Sequence, residues 1–206
     1  MSVAQRERAA LVATMRSVGP DAPTLCEGWT TRDLAAHLVI REYRVDAAPG
    51  ILIPLFAGHT AKVQDDVARN TEWNAILDKV ASGPPLYSPL KLLDPVANVA
   101  EMFIHHEDVR RAQPGWTPRT LDPALSAKLR RTVSLMARMT LAKAPARVTL
   151  QTPDGRTVLT AGQGPAVTVT AAPEELLLFA TGRTARVDYD GDAAAVKAVR
   201  DAPKGL

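Results

Sequence analysis

Cys26-Glu27-Gly28-Trp29-Thr30-Thr31-Arg32-Asp33-Leu34-Ala35-Ala36-His37-Leu38 takes the chain from a loop into a helix. Thr30 stands three residues before Asp33, which is the spacing of a capping box, so a helix starts there and runs to about residue 44. Asp33 fits as its cap better than as a ligand. Leu34 and Leu38 lie on nearly the same side of this helix as His37, so the imidazole is expected to point inward. Trp29 reads as a core anchor at the helix start. Cys26 reads as an inert, partly buried thiol: a helix N-terminus can lower a thiol pKa, but no histidine is close in sequence.

Upstream, residues 3–18 carry Leu11, Met15 and Val18 at helical spacing, and Gly19-Pro20 stops that helix. Downstream, residues 46–60 contain Pro49, Gly50, Pro54 and Gly58 and predict a long irregular connection with one short helix. A third helix is expected over 61–81, a proline-rich loop over 82–89, and a fourth helix over 95–112, stopped by Pro114-Gly115. A fifth covers 123–143, with Asp122 as N-cap and Pro123 at the first helical position. At Pro145 the period changes. Residues 147–152 and 156–161 flank Pro153-Asp154-Gly155, a hairpin signal, and 166–171 alternate apolar and polar. A helix over 173–181, a strand over 184–189 and a last helix over 192–201 complete the chain. The expected architecture is mainly α: a helical bundle over 1–145, then a small α+β domain over 146–206.

Composition narrows the function. The chain has 206 residues, 46% hydrophobic and 23% charged, which suits folded domains rather than disorder. The net charge of +3 comes with no basic stripe interleaved with aromatics, so a nucleic-acid partner is not expected. One cysteine excludes an internal disulfide framework and a cysteine-only zinc site. The longest uncharged run, 157–173, is rich in Thr, Gly and Pro and reads as strands, not as a membrane span of about 20 apolar residues. Residues 1–16 carry charges throughout and show no leader pattern, so a cytoplasmic protein is expected.

All four histidines, His37, His59, His105 and His106, fall in the helical part. Glu101 and His105 are four residues apart, one turn along the same helix face, and Asn98 and Asp108 continue that face in both directions. Such a pair can give a carboxylate oxygen and an imidazole nitrogen to one ion, as in metal sites within bundles. His37 would complete a set of three, leaving the fourth position open as catalytic zinc sites do. From spacing alone, a pair such as Glu101–His105 is more often a helix-surface hydrogen bond than a metal pair, and a lone His37 more often a satisfied core histidine. His106 points elsewhere and is expected at the surface or behind the ligands; His59 has no nameable partner. Gly162-Gln163-Gly164 reads as a tight turn between strands rather than a phosphate loop, since no helix follows it. Gly182-Arg183 reads as a helix stop followed by an exposed arginine, with anion contact open to Arg183 or Arg186.

The segment from Cys26 to Leu38, together with Glu101-x-x-x-His105 and the following Asp108, resembles the two motifs of the mycothiol-dependent maleylpyruvate isomerase N-terminal domain family, a branch of the DinB-like metal-binding bundles. The resemblance covers about residues 1–115. It implies an up-and-down four-helix bundle with a divalent metal held by His37, Glu101 and His105, zinc first, with nickel and manganese as alternatives. Asn98 and Asp108 would support those ligands from behind. It also implies a small thiol as cosubstrate, mycothiol in actinobacteria, and an electrophilic small-molecule substrate in a transferase or isomerase reaction. The alanine-, arginine- and proline-rich composition fits such a source, and a homodimer is a further expectation. The segments Gly164–Val169, Pro173–Leu176 and Thr181–Arg183 resemble the small domain that follows this bundle in relatives, itself similar to sterol-carrier folds. The competing expectation is a binding module without catalysis, in which metal is structural or absent and the C-terminal part takes a small apolar ligand or a partner protein.

Overall fold

The computed structural model describes residues 1–51, 53–88, 91 and 95–203, with the side chains of 95–97 left aside. Pro89, the end of the expected proline-rich loop, lies outside the described residues. The chain divides into two compact units, Met1–Arg119 and Thr120–Leu206.

Among the described residues the first unit holds five α-helices. Helix α1 (Val3–Val18) opens with a capping box between Ser2 and Gln5 and ends at Gly19, whose φ of 87° favours glycine. Helix α2 (Thr31–Tyr43) has the expected capping box of Thr30 and Asp33. The expected single helix over 61–81 is instead two, α3 (Ala57–Asn70) and α4 (Trp73–Ser82). One backbone conformation and three hydrogen bonds make the break. Thr71 is extended, the Glu72 carboxylate caps α4 by accepting from the Ala75 N–H at 3.0 Å, and Arg32 donates to the carbonyls of Ala68 and Thr71 at 3.0 and 3.2 Å. Arg32 thus satisfies acceptors that a helix end would otherwise leave unpaired. The connection over 46–60 is shorter than expected, since two 3-10 turns (Ala48–Ile51 and Pro54–Phe56) lead directly into α3. Helix α5 (Pro95–Arg111) completes the unit.

α1 packs on α5 and α4, and α2 packs on α3 and α4. Leu11, Met15, Leu34, Leu38, Ile76, Leu77 and Met102 form the centre of the core. Arg8 on α1 pairs with the fully buried Glu42 on α2 and also donates to the Val80 carbonyl at 2.7 Å, tying three helices at one buried charge pair. α5 is buried almost all round, with Val99, Met102, Phe103 and Val109 inaccessible, and so are the four consecutive polar residues His105, His106, Glu107 and Asp108. Successive helical residues point about 100° apart, so this run sends polar groups into the interior in every direction.

The second unit begins with α6 (Pro123–Thr140), whose N-cap is Asp122. Strands β1 (Arg147–Gln151), β2 (Thr157–Ala161), β3 (Ala166–Thr170) and β4 (Asp188–Gly191) form one sheet in the order β2-β1-β3-β4. β1 pairs antiparallel with β2 and parallel with β3, and β4 closes the other edge antiparallel to β3. α7 (Pro173–Ala180) and α8 (Ala193–Asp201) complete it. The change of period at Pro145 predicts a division at 145/146. In the structure α6 packs on α7 and β2, so it belongs with the sheet, and the division falls before it. The strand expected over 184–189 lies at Asp188–Gly191 instead. Gly191 there approaches β3 so closely that a Cβ would stand 2.7 Å from the Ala166 carbonyl.

Candidate metal centre

α2 and α5 bring His37, Glu101 and His105 together. One donor atom from each lies within 4.8 Å of the other two. Glu101 Oε1 is 3.1 Å from His105 Nε2 and 3.9 Å from His37 Nε2. Tetrahedral sites with bonds of about 2.0–2.1 Å place their donors about 3.4 Å apart, between these two distances. The imidazole rings meet edge to face at 5.5 Å. The donor set therefore fits a divalent ion in composition, and the two Glu101–histidine separations bracket the tetrahedral value.

Burial and neighbouring groups shift the three donors in different directions. Desolvation lowers the His37 pKa below the ordinary histidine range, and the charge of His105 adds to this, which keeps the His37 lone pair available. Desolvation would raise the Glu101 pKa, but hydrogen bonds from His105 and His37, with Arg41 nearby, outweigh it and hold the carboxyl well below its usual range. Burial would likewise lower His105, but hydrogen bonds to Asp108, Cys26 and Glu101 outweigh it and raise His105 well above the ordinary range. At His105 Nε2 a proton and a metal ion compete for one lone pair.

The supporting residues fall as follows. Asp108 is buried and its Oδ2 lies 3.1 Å from His105 Nδ1, the carboxylate–histidine arrangement that orients metal-binding imidazoles. Asn98 accepts from Arg41 at 3.3 Å, and Arg41 Nε stands 3.3 Å from Glu101 Oε1. Asn98 therefore contacts the same arginine that faces Glu101. The sequence reading missed Arg41, although it lies one turn beyond His37 on the same helix. It also missed the role of Cys26, whose thiol donates to Asp108 at 3.3 Å. Trp29 packs against the core with its ring 5.2 Å from that of His37.

Two histidines depart from expectation. His106 is not at the surface: α1 covers it, and its ring meets Glu7 at 2.8 Å and Thr14 at 2.9 Å. His59 lies in α3, with Nε2 3.6 Å from Asp46. In the second unit, Arg183 is half-buried and donates to the Thr181 carbonyl at 2.8 Å. It lines a cavity of about 440 Å³ with Arg200, Thr184 and Tyr189.

His37 and Trp29 also line a cavity of about 330 Å³. Ile51, Ala57 and Ala61 form its apolar wall, and Thr60, Gln64 and Asp65 its polar one. No helix among the described residues is long and apolar enough to cross a membrane.

No protein-family model and no curated protein sequence matches the chain. Its fold is similar to the crystal structure of the mycothiol-dependent maleylpyruvate isomerase, with a TM-score of 0.57, 15% identity, and coverage of 99% of this chain and 93% of that one. A histidine-to-alanine mutant of that enzyme is similar to the same degree. At this identity the likeness establishes the fold, a helical bundle followed by a small C-terminal domain.

Proposed function

We propose that the chain is a divalent-metal-binding enzyme that uses a small thiol, a transferase or isomerase acting on an electrophilic small molecule. The observation that carries this reading is the convergence of His37, Glu101 and His105 donors within 4.8 Å, beside a cavity that His37 itself lines. The name of the fold neighbour supports the thiol, with mycothiol or a similar low-molecular-weight thiol as the cosubstrate. Zinc fits two imidazoles and one carboxylate best, with nickel and manganese next.

His37, Glu101 and His105 would hold the ion, whose positive charge would keep a bound thiol deprotonated near neutral pH. The chain's own groups do the rest. Burial keeps His37 neutral, Asp108 fixes the orientation of His105, and Arg41 with Asn98 fixes the Glu101 carboxylate. Trp29, Ile51, Ala57 and Ala61 give a bound electrophile an apolar bed that limits water.

A second reading rests on the Arg41–Glu101 contact. Arg41, Glu101, His105, Asp108 and Cys26 satisfy one another by hydrogen bonds and charge, as an ion-free structural network would. Metal content after incubation with zinc, nickel and manganese separates the two readings. About one ion per wild-type chain is expected, lost in His37→Ala and in Glu101→Ala, and a cobalt-substituted sample should change its visible spectrum on adding thiol. Full metal retention in both variants would refute the ligand assignment. No ion in the wild type would favour the structural network and a non-catalytic binding module.

A further inference from the structure

The loop between α1 and α2 meets α5 twice at one residue. The Leu25 N–H donates to the Asp108 carbonyl at 3.0 Å, and the Cys26 thiol donates to Asp108 Oδ2 at 3.3 Å. The same Oδ2 faces His105 Nδ1 at 3.1 Å. The loop is also pinned internally. The Thr24 hydroxyl donates to the Trp29 carbonyl at 2.8 Å and accepts from the Cys26 N–H at 3.2 Å. The Trp29 N–H donates to the Cys26 carbonyl at 3.0 Å, and Pro23 bridges to Thr30. This one loop abuts both imidazoles, His37 through the Trp29 ring and His105 through Cys26 and Asp108.

We infer that Cys26 is a positioning residue of the metal site: its thiol holds the Asp108 carboxylate against His105 Nδ1 and so fixes which ring nitrogen faces His37 and Glu101. This rests on the metal-binding reading above. The physical reason is geometric. A carboxylate held by a single donor can swing about its side-chain torsions, whereas two donors converging on one oxygen fix its place. With Asp108 held there, the Nδ1 proton stays on Nδ1 and the Nε2 lone pair is left to the ion. As a donor to the Asp108 carboxylate the Cys26 sulfur keeps its proton, a role distinct from that of a thiolate ligand. The rival role is nonetheless concrete, because Cys26, His105 and Asp108 also bring donor atoms within 4.8 Å of one another.

The test uses the full chain loaded with cobalt(II). Affinity is measured by chelator competition, alongside the visible spectrum, for wild type, Cys26→Ala and Cys26→Ser. Cys26→Val, which removes the donor but keeps bulk, replaces alanine if that variant unfolds. The expected result is affinity weakened by about 10–100-fold in Cys26→Ala, the range for partners that orient metal ligands. A shifted visible band should accompany this loss, and Cys26→Ser, which keeps a donor, should recover most of both. Wild-type affinity and spectrum in the alanine and valine variants would overturn the inference and leave the metal site intact. A thiolate-to-cobalt charge-transfer band in the wild type, absent from Cys26→Ala, would overturn it in favour of Cys26 as a ligand. A wild type that binds no cobalt overturns the metal reading and this inference together.

Discussion

Gly50 shows how one residue can set a wall of the cavity beside His37. A Cβ at this position would stand 2.1 Å from Thr60 Oγ1 and 2.4 Å from the Phe56 carbonyl oxygen. The second contact is with backbone, so no side-chain rotation relieves it. Gly50→Ala should therefore shift the 3-10 turns and cost about 1–3 kcal/mol, as overpacking does. The urea midpoint is the check, and an unchanged midpoint would mean that the turns move freely. His106 teaches a related lesson. Its sequence neighbours say only that it points away from Glu101, and its burial follows from α1 lying across that face of α5. The Cys26–Asp108 contact was equally hidden, since those residues are 82 apart in the chain.

At the scale of elements, α1 and α5 are joined by charge as well as by apolar packing. Glu7 on α1 meets His106 on α5 and also Arg119, while Glu107 on α5 holds Arg110, Arg111 and Arg119. Burial would raise the pKa of both carboxyls. In Glu7, His106 and Arg119 outweigh it, and in Glu107 the arginines do, so both pKa values are lowered. The stabilisation is then fully present above the unfolded glutamate value of about 4.3 and is lost as pH falls through the lower folded values. The urea midpoint should fall steeply below about pH 4.3 in the wild type, and less steeply in Glu7→Gln and in Glu107→Gln. Equal slopes in all three would show that these carboxylates do not govern acid unfolding. The break between α3 and α4 also belongs to this scale. No glycine or proline between Val67 and Trp73 marks it in the sequence, and the capping by Glu72 and the reach of Arg32 from α2 decide the matter.

At the scale of the whole molecule, the division lies between Arg119 and Thr120. Thr120 and Asp122 are exposed, whereas Arg119 is held by Glu7 and Glu107. Limited digestion with a protease of broad specificity should cut first between 119 and 123 and leave α6 with the sheet. A first cut near 145 would instead place α6 with the helices and contradict this division. The sequence determined what is local. The capping boxes, the glycine and proline stops, the hairpin turn and the change of period at Pro145 give the mainly helical class and the small α+β unit, because each depends on residues a few positions apart. The sequence also marked His37, Glu101 and His105 as able to share an ion, since two of them lie one turn apart and the third faces inward. Only the tertiary structure decided that their donor atoms meet, that Arg41 and Cys26 join them, and that α6 belongs with the sheet. Those outcomes depend on which helix faces which, and helical periodicity states only that a face is buried, not what covers it.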